Sequence, residues 1–305
     1  MYPFGSDKTR DKTLYSVVTM SSVFDFTSIK RHPEAPPLSE FIARDGERLS
    51  YRFYDSLNKD VVCILLHGSS AHGEYLHPLA SHLRAYGQVY VPNIRGHYLS
   101  GAKRGDCSYI GQLEDDLVDL IHRMELQNKK IFLFGHSSGG GLAIRFAGGH
   151  HNIPIHGYVL LSPAIPRAAT MREGTAGGWA NVHLCKLLFC LFLNALGLHC
   201  FDHLKVISFR KPEDNCDGTE TLEYSSRLNL SCHPRYPYQK DVQALKEKFV
   251  VLIGSEDEAN DPSKYPEVMQ TTDASLRVIN GVKHLNIVSD PVALKMSSNW
   301  VRSRL

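Results

Sequence analysis

The chain has 305 residues, 43% of them hydrophobic and 22% charged, with a formal net charge of +2. This is the balance of a globular protein large enough to bury a substantial core. The weak, scattered positive charge excludes recruitment of nucleic acid or anionic lipid by a strong field.

The first stretch, Met1 to Met20, is polar and lacks the apolar core of a secretory signal, so residues 1–23 are expected to form a disordered extension. Seven cysteines, an odd number, point to a reducing compartment without a disulfide framework, and with no targeting segment a cytoplasmic location is expected. The segments Leu38 to Ala43 and Leu49 to Tyr54 flank Asp45-Gly46, a hairpin signal. Val61 to Leu66 (VVCILL) is a continuous apolar run, as in strands covered on both faces of a parallel sheet. Gln88 to Val91 is a further short strand. Ile110, Leu113, Leu117, Leu120, Ile121 and Met124 recur at helical spacing between acidic residues, an amphipathic helix. Ile131 to Phe134, Tyr158 to Leu161, Phe249 to Ile253 and Leu276 to Ile279 are further strands, and Pro291 to Arg304 is a closing helix.

Strand and helix alternate except between Ala164 and Lys248, where no comparable pair occurs. The expected architecture is therefore an α/β core, its mostly parallel sheet covered by helices on both faces, interrupted by one insertion. Residues 24–163 make the first part of the core, 164–248 the insertion and 249–305 the second part.

The strand Ile131 to Phe134 enters Gly135-His136-Ser137-Ser138-Gly139, and a helical pattern with Leu142, Ile144 and Phe146 follows. G-x-S-x-G between strand and helix is the setting of a nucleophile elbow, a turn so sharp that residues two before and two after the serine must be tiny. The spacing selects Ser137, because Ser138 would need glycine where His136 stands. A serine hydroxyl needs a base, and the base needs an orienting carboxylate. In sheets built around such an elbow the chain order is Ser, acid, His. His284 is the only histidine after position 233, and it follows the strand at Leu276. Asp257 follows the strand Phe249 to Ile253 in Gly254-Ser255-Glu256-Asp257-Glu258, with Glu256, Glu258, Asp261 and Asp273 as rivals. The oxyanion of a tetrahedral intermediate needs backbone N–H donors. Ser138, after the nucleophile, supplies one, and Ser69 in His67-Gly68-Ser69-Ser70 the other; His67 reads as a buried brace for that loop. No H-E-x-x-H or G-K-[ST] pattern occurs, so neither a metal site nor an organic cofactor is expected.

These motifs, together with Pro92-Asn93-Ile94-Arg95-Gly96-His97, resemble those of the lysophospholipase and monoacylglycerol lipase-like hydrolases, often grouped with the serine aminopeptidase-like hydrolases. The resemblance runs from about Phe24 to Trp300 and departs at Tyr98, where the family usually has glycine. It implies the α/β-hydrolase fold, Ser137, Asp257 and His284 as a triad, and acyl-ester hydrolysis through an acyl-enzyme. In that fold the insertion lies over the site as a cap.

Val182 to Leu198 is apolar on every face except His183, Lys186 and Asn194. It is expected to form a cap helix lining an apolar pocket, with Phe189 and Phe192 binding the acyl chain of a monoacylglycerol or lysophospholipid. Its alternative use is peripheral contact with a membrane or a second subunit. Two other functions compete: an aminopeptidase that holds the substrate ammonium with Glu173, Glu220 or Glu223, and a catalytically silent binding protein on a hydrolase scaffold. The sequence leaves the oligomeric state open.

Overall fold

A computed structural model describes residues 24–26, 29–166, 170–172, 178–269 and 275–305. The extension expected at residues 1–23, and the candidate carboxylates Glu173 and Asp273, lie outside these residues.

The main sheet contains β1 (Leu38–Ile42), β2 (Arg48–Tyr54), β3 (Val61–Leu66), β4 (Gln88–Pro92), β5 (Lys130–His136), β6 (Ile155–Leu161), β10 (Phe249–Gly254) and β11 (Ser275–Ile279). Their order is β1-β2-β4-β3-β5-β6-β10-β11, parallel from β4 onward, with β2 antiparallel to both β1 and β4. Each central strand serves two cores. In β3, Val62, Ile64 and Leu66 join one hydrophobic cluster, and Val61, Cys63 and Leu65 join the other. In β5, Ile131 and Leu133 take the first side and Phe132 and Phe134 the second. This period of two explains why the strands read as unbroken apolar runs.

Helices α1 (His77–Leu83) and α8 (Pro291–Arg302) cover one face, through Leu79, Leu83, Ala293 and Val301. Helices α2 (Gln112–Arg123) and α3 (Ser138–Ala147) cover the other, through Leu113, Leu117, Ile121 and Leu142. The α/β-hydrolase fold implied by the motifs is thus the observed one.

Between β6 and β10, where no comparable strand-helix pair is expected, the chain builds a second, small sheet. Strands β7 (Ala180–Val182), β8 (Lys205–Phe209) and β9 (Glu223–Ser225) pair antiparallel in the order β7-β8-β9. They are three to five residues long, too short for periodicity to reveal. Helix α4 (Leu184–Ala195) links β7 to β8, and α5 (Ser226–Ser231) and α6 (Tyr238–Ala244) lead back to the main sheet. The small sheet shares the larger core through Ala180, Ile207, Phe209 and Tyr224. Among the described residues no helix is long and apolar enough to cross a membrane, and all seven cysteines are free.

The closing helix docks on a glycine. A Cβ at Gly157 of β6 would stand 2.3 Å from the Trp300 ring, which also packs edge-on against Phe132. Overpacking of this kind costs roughly 1–3 kcal/mol. Gly157→Val should therefore lower the unfolding free energy measured in urea by that amount, and an unchanged value would show that α8 is not seated as described.

Candidate active site

Ser137 occupies the turn between β5 and α3 with φ 55° and ψ −120°. A non-glycine residue in this region costs about 1–3 kcal/mol and persists only where its surroundings impose it. Here they do. Ser137 donates its N–H to Leu161 O at 3.0 Å, and its carbonyl accepts from Ala164 N at 2.8 Å. A Cβ at Gly135 would lie 2.3 Å from Gly139 O, and one at Gly139 would lie 2.3 Å from Leu66 O. Both glycines are therefore demanded by the close passage of α3 across the ends of β5 and β3.

Asp257 follows β10 and His284 follows β11, so both meet Ser137 at the carboxyl ends of the parallel strands, where open α/β sheets form their sites. His284 Nε2 lies 3.0 Å from Ser137 Oγ, and His284 Nδ1 lies 2.8 Å from Asp257 Oδ2. Asp257 and His284 are buried. The other Asp257 oxygen accepts the N–H groups of Ala259 at 2.9 Å and Asn260 at 2.7 Å. Burial opposes ionisation of Asp257, but the charge and hydrogen bond of His284 and the Asn260 N–H outweigh it and hold the carboxyl below its usual range. The rivals do other work: Glu258 accepts the His284 N–H at 2.8 Å, Asp261 caps Ser263 N, and Glu256 is exposed.

The loop after β3 lies against the nucleophile; a Cβ at Gly68 would meet Ser137 Cβ at 3.1 Å. Its N–H groups are partitioned. Gly68 N–H goes to Tyr75 Oη and Ser70 N–H to Tyr224 Oη, both at 2.7 Å. No hydrogen bond from Ser69 N–H or Ser138 N–H to another described residue accompanies these. His67 is buried, accepting from Ile94 N–H at 2.9 Å through Nε2 and donating to Gly68 O through Nδ1.

Sequence reasoning missed a relay that ties these loops together. Tyr75 Oη takes the Gly68 N–H and donates to His136 Nδ1 at 2.7 Å, and His136 Nε2 donates to His284 O at 3.0 Å. Oxyanion loop, elbow and base loop are thus one hydrogen-bonded unit. His136 stood inside the motif, but nothing marked Tyr75. Tyr98, the departure from the family pattern, adopts φ 43° and stacks on His72 at 4.5 Å.

Phe189 and Phe192 require a correction. Both are exposed, and Phe189 packs against Phe201. The face of α4 that lines a cavity carries Leu187 and Leu191. The apolar composition of α4 hid which face points inward. The cavity at Ser137 is small, about 30 Å³, and is lined partly by Phe24, Phe26 and Trp179. His32, Glu34 and the sequence-distant His77 bring ligand atoms within 4.8 Å of one another. They lie beside α1, and none of them lines the cavity at Ser137.

Burial pushes His136 down to about 3 and His97 to about 4 from an ordinary 6.5. Because the unfolded chain binds these protons more readily, their contribution is intact above pH 6.5 and is lost as pH falls through the window down to about 3. Folding stability should accordingly decline from pH 6.5 to 4.5, with a shallower slope in His136→Gln. Equal slopes in urea titrations would contradict the neutral relay.

Residues 58–196 match the family model described as serine aminopeptidase, S33. No curated protein matches the chain. Among solved structures, a soluble variant of monoglyceride lipase from Saccharomyces cerevisiae gives a TM-score of 0.67 at 17% identity, over 90% of this chain and 97% of that one. Monoacylglycerol lipase from Paleococcus ferrophilus gives 0.62 at 21% identity, over 84% and 99%. A thermophilic esterase from Thermogutta terrifontis gives 0.59 at 18% identity, over 88% and 99%. At these identities the likeness is one of fold. The chain has the α/β-hydrolase fold.

Proposed function

We propose that this chain is a serine hydrolase of lipid-like carboxylic esters, such as monoacylglycerols or lysophospholipids. The observation that carries the reading is the hydrogen-bonded series Ser137–His284–Asp257, at 3.0 and 2.8 Å. His284 Nε2 removes the Ser137 proton as Oγ attacks the ester carbonyl carbon. The oxyanion that forms is held by the N–H groups of Ser69 and Ser138. His284 then passes the proton to the departing alcohol, leaving Ser137 acylated. A water, deprotonated by His284, attacks the acyl carbon; the acid leaves and Ser137 regains its proton. Asp257 fixes the tautomer of His284 and stabilises its cation.

The substrate class is supported by two cavities besides the small one at Ser137. A cavity of about 570 Å³, within the roughly 300–1,000 Å³ usual for ligand sites, lies under α4 and carries Ile165, Leu187, Leu191 and Ile207. A polar cavity of about 280 Å³, lined by Glu74, Asp217 and Glu220, shares Ala71, Tyr75 and Lys211 with the catalytic one and suits a polar leaving alcohol. The aminopeptidase reading gains less support. Among the described residues no carboxylate lines the catalytic cavity, Glu220 is paired with Lys211, and the large cavity carries Arg145, Arg172 and Arg235. The intact triad speaks against a silent binding protein.

Helix α4 has two apolar faces with separate uses. Leu187 and Leu191 face the cavity, whereas Leu184, Leu188 and Phe192 are exposed at spacing i, i+4, i+8. The outer face is suited to peripheral contact with a lipid surface.

A fluorophosphonate probe should label the wild type and Ser138→Ala but not Ser137→Ala. Asp257→Asn should lower kcat by about 10⁴, as for other orienting carboxylates, while Asp261→Asn stays near wild type. Labelling that survives in Ser137→Ala would sink the assignment. The faces of α4 should also separate. Each acyl CH₂ buried contributes up to about 0.8 kcal/mol, so Leu191→Asp should depress turnover of long-chain esters more than short. Phe192→Asp should instead abolish vesicle association with the chain-length profile unchanged; the opposite assignment of effects would refute this division.

A further inference from the structure

The cavity at Ser137 has room for about two waters at roughly 10–15 Å³ each, far too little for an acyl chain. The large cavity that could take one shares none of its lining residues. What stands between them is a cluster of aromatic rings. Phe24 and Phe26 pack on Trp179 with centroids 5.3 and 5.2 Å apart, and Phe24 presents its ring to His284 at 5.5 Å, edge to face. All three line the catalytic side. On the other side, Met171 packs against the same cluster and lines the large cavity, and Ala180, next to Trp179 in the chain, lines it too.

We infer that Trp179, held by Phe24 and Phe26, is the specificity-determining partition between the nucleophile and the acyl-chain cavity. The inference rests on the ester-hydrolase reading and adds the residues that set chain-length preference. The rings are placed for this. Gly178 precedes Trp179 at φ 83°, a backbone conformation that glycine adopts readily. Asp25, between the two phenylalanines, lies 3.4 Å from Lys283, the residue before the base, so the N-terminal segment is pinned beside the catalytic histidine by an ion pair. A short acyl group is accommodated beside Ser137 after a small retreat of the rings, whereas a long one must displace the indole to reach the space behind it. The partition therefore penalises long chains at entry, and the apolar cavity rewards them once it is passed.

The chain contains two tryptophans, Trp179 and Trp300, so Trp300→Phe leaves Trp179 as the sole indole reporter. In that background, labelling Ser137 with a dodecyl fluorophosphonate should change Trp179 emission and raise its acrylamide quenching, and labelling with a methyl fluorophosphonate should change neither comparably. In parallel, the ratio of kcat/KM for dodecanoyl over acetyl p-nitrophenyl esters should rise at least tenfold in Trp179→Ala. It should rise in the same direction in Phe24→Ala, which keeps the test alive if Trp179→Ala does not fold, and should stay near wild type in Trp179→Phe. Normal labelling by both probes, with equal Trp179 fluorescence and an unchanged ratio in Phe24→Ala, would overturn the partition and leave the triad standing. Failure of both probes to label Ser137 would overturn the hydrolase reading and the partition together.

Discussion

The site depends on one steric constraint, the passage of α3 over the ends of β5 and β3. At Gly139 the backbone approaches Leu66 O so closely that a single methyl would stand 2.3 Å from it, and Gly135 faces Gly139 O at the same distance. That proximity forces Ser137 to φ 55° and lifts its hydroxyl clear of the sheet. It also brings the loop after β3 against the serine and points the first N–H groups of α3 towards the place where charge would develop during acyl transfer. A bulkier residue at either glycine would separate Ser137, the loop after β3 and His284 together, since all hang on the same strand ends.

The loops are then fixed to one another by buried polar groups rather than by packing alone. Tyr75 and His136 carry a hydrogen-bonded path from Gly68 to His284 O, and Tyr224, from the small sheet, bonds to both Ser70 N and His97 Nε2. Burial drives the imidazoles of His136 and His97 towards the neutral form. A neutral His136 can accept at Nδ1 while donating at Nε2, which the relay requires. Because Ser70 O also receives Thr221 N–H at 3.0 Å, the small sheet is bonded to the oxyanion loop and takes part in shaping the site.

Much of this was legible in the sequence where local rules are strict. The elbow is a backbone demand for two glycines, so G-x-S-x-G in strand-to-helix context identified Ser137. Chain order and the scarcity of late histidines identified His284, and a loop after an apolar strand identified Asp257. Unbroken apolar runs marked strands covered on both faces. Less could be read where structure depends on long-range contact. Tyr75, Tyr224, Phe24 and Trp179 act through neighbours far away in the chain and carry no local signature. The short strands β7 to β9 are stabilised by pairing and by the shared core, not by their own periodicity. In α4, leucine and phenylalanine on all sides concealed that Leu187 and Leu191 turn inward while Phe189 and Phe192 turn out.

We propose that Ser137 is acylated within a site whose oxyanion donors are already in place. The most direct measurement is a crystal structure of the protein inactivated with an alkyl fluorophosphonate. Phosphorus should be bonded to Ser137 Oγ, with a phosphoryl oxygen about 2.7–3.1 Å from the backbone nitrogens of both Ser69 and Ser138. An adduct on another residue, or an oxygen out of reach of both nitrogens, would contradict it.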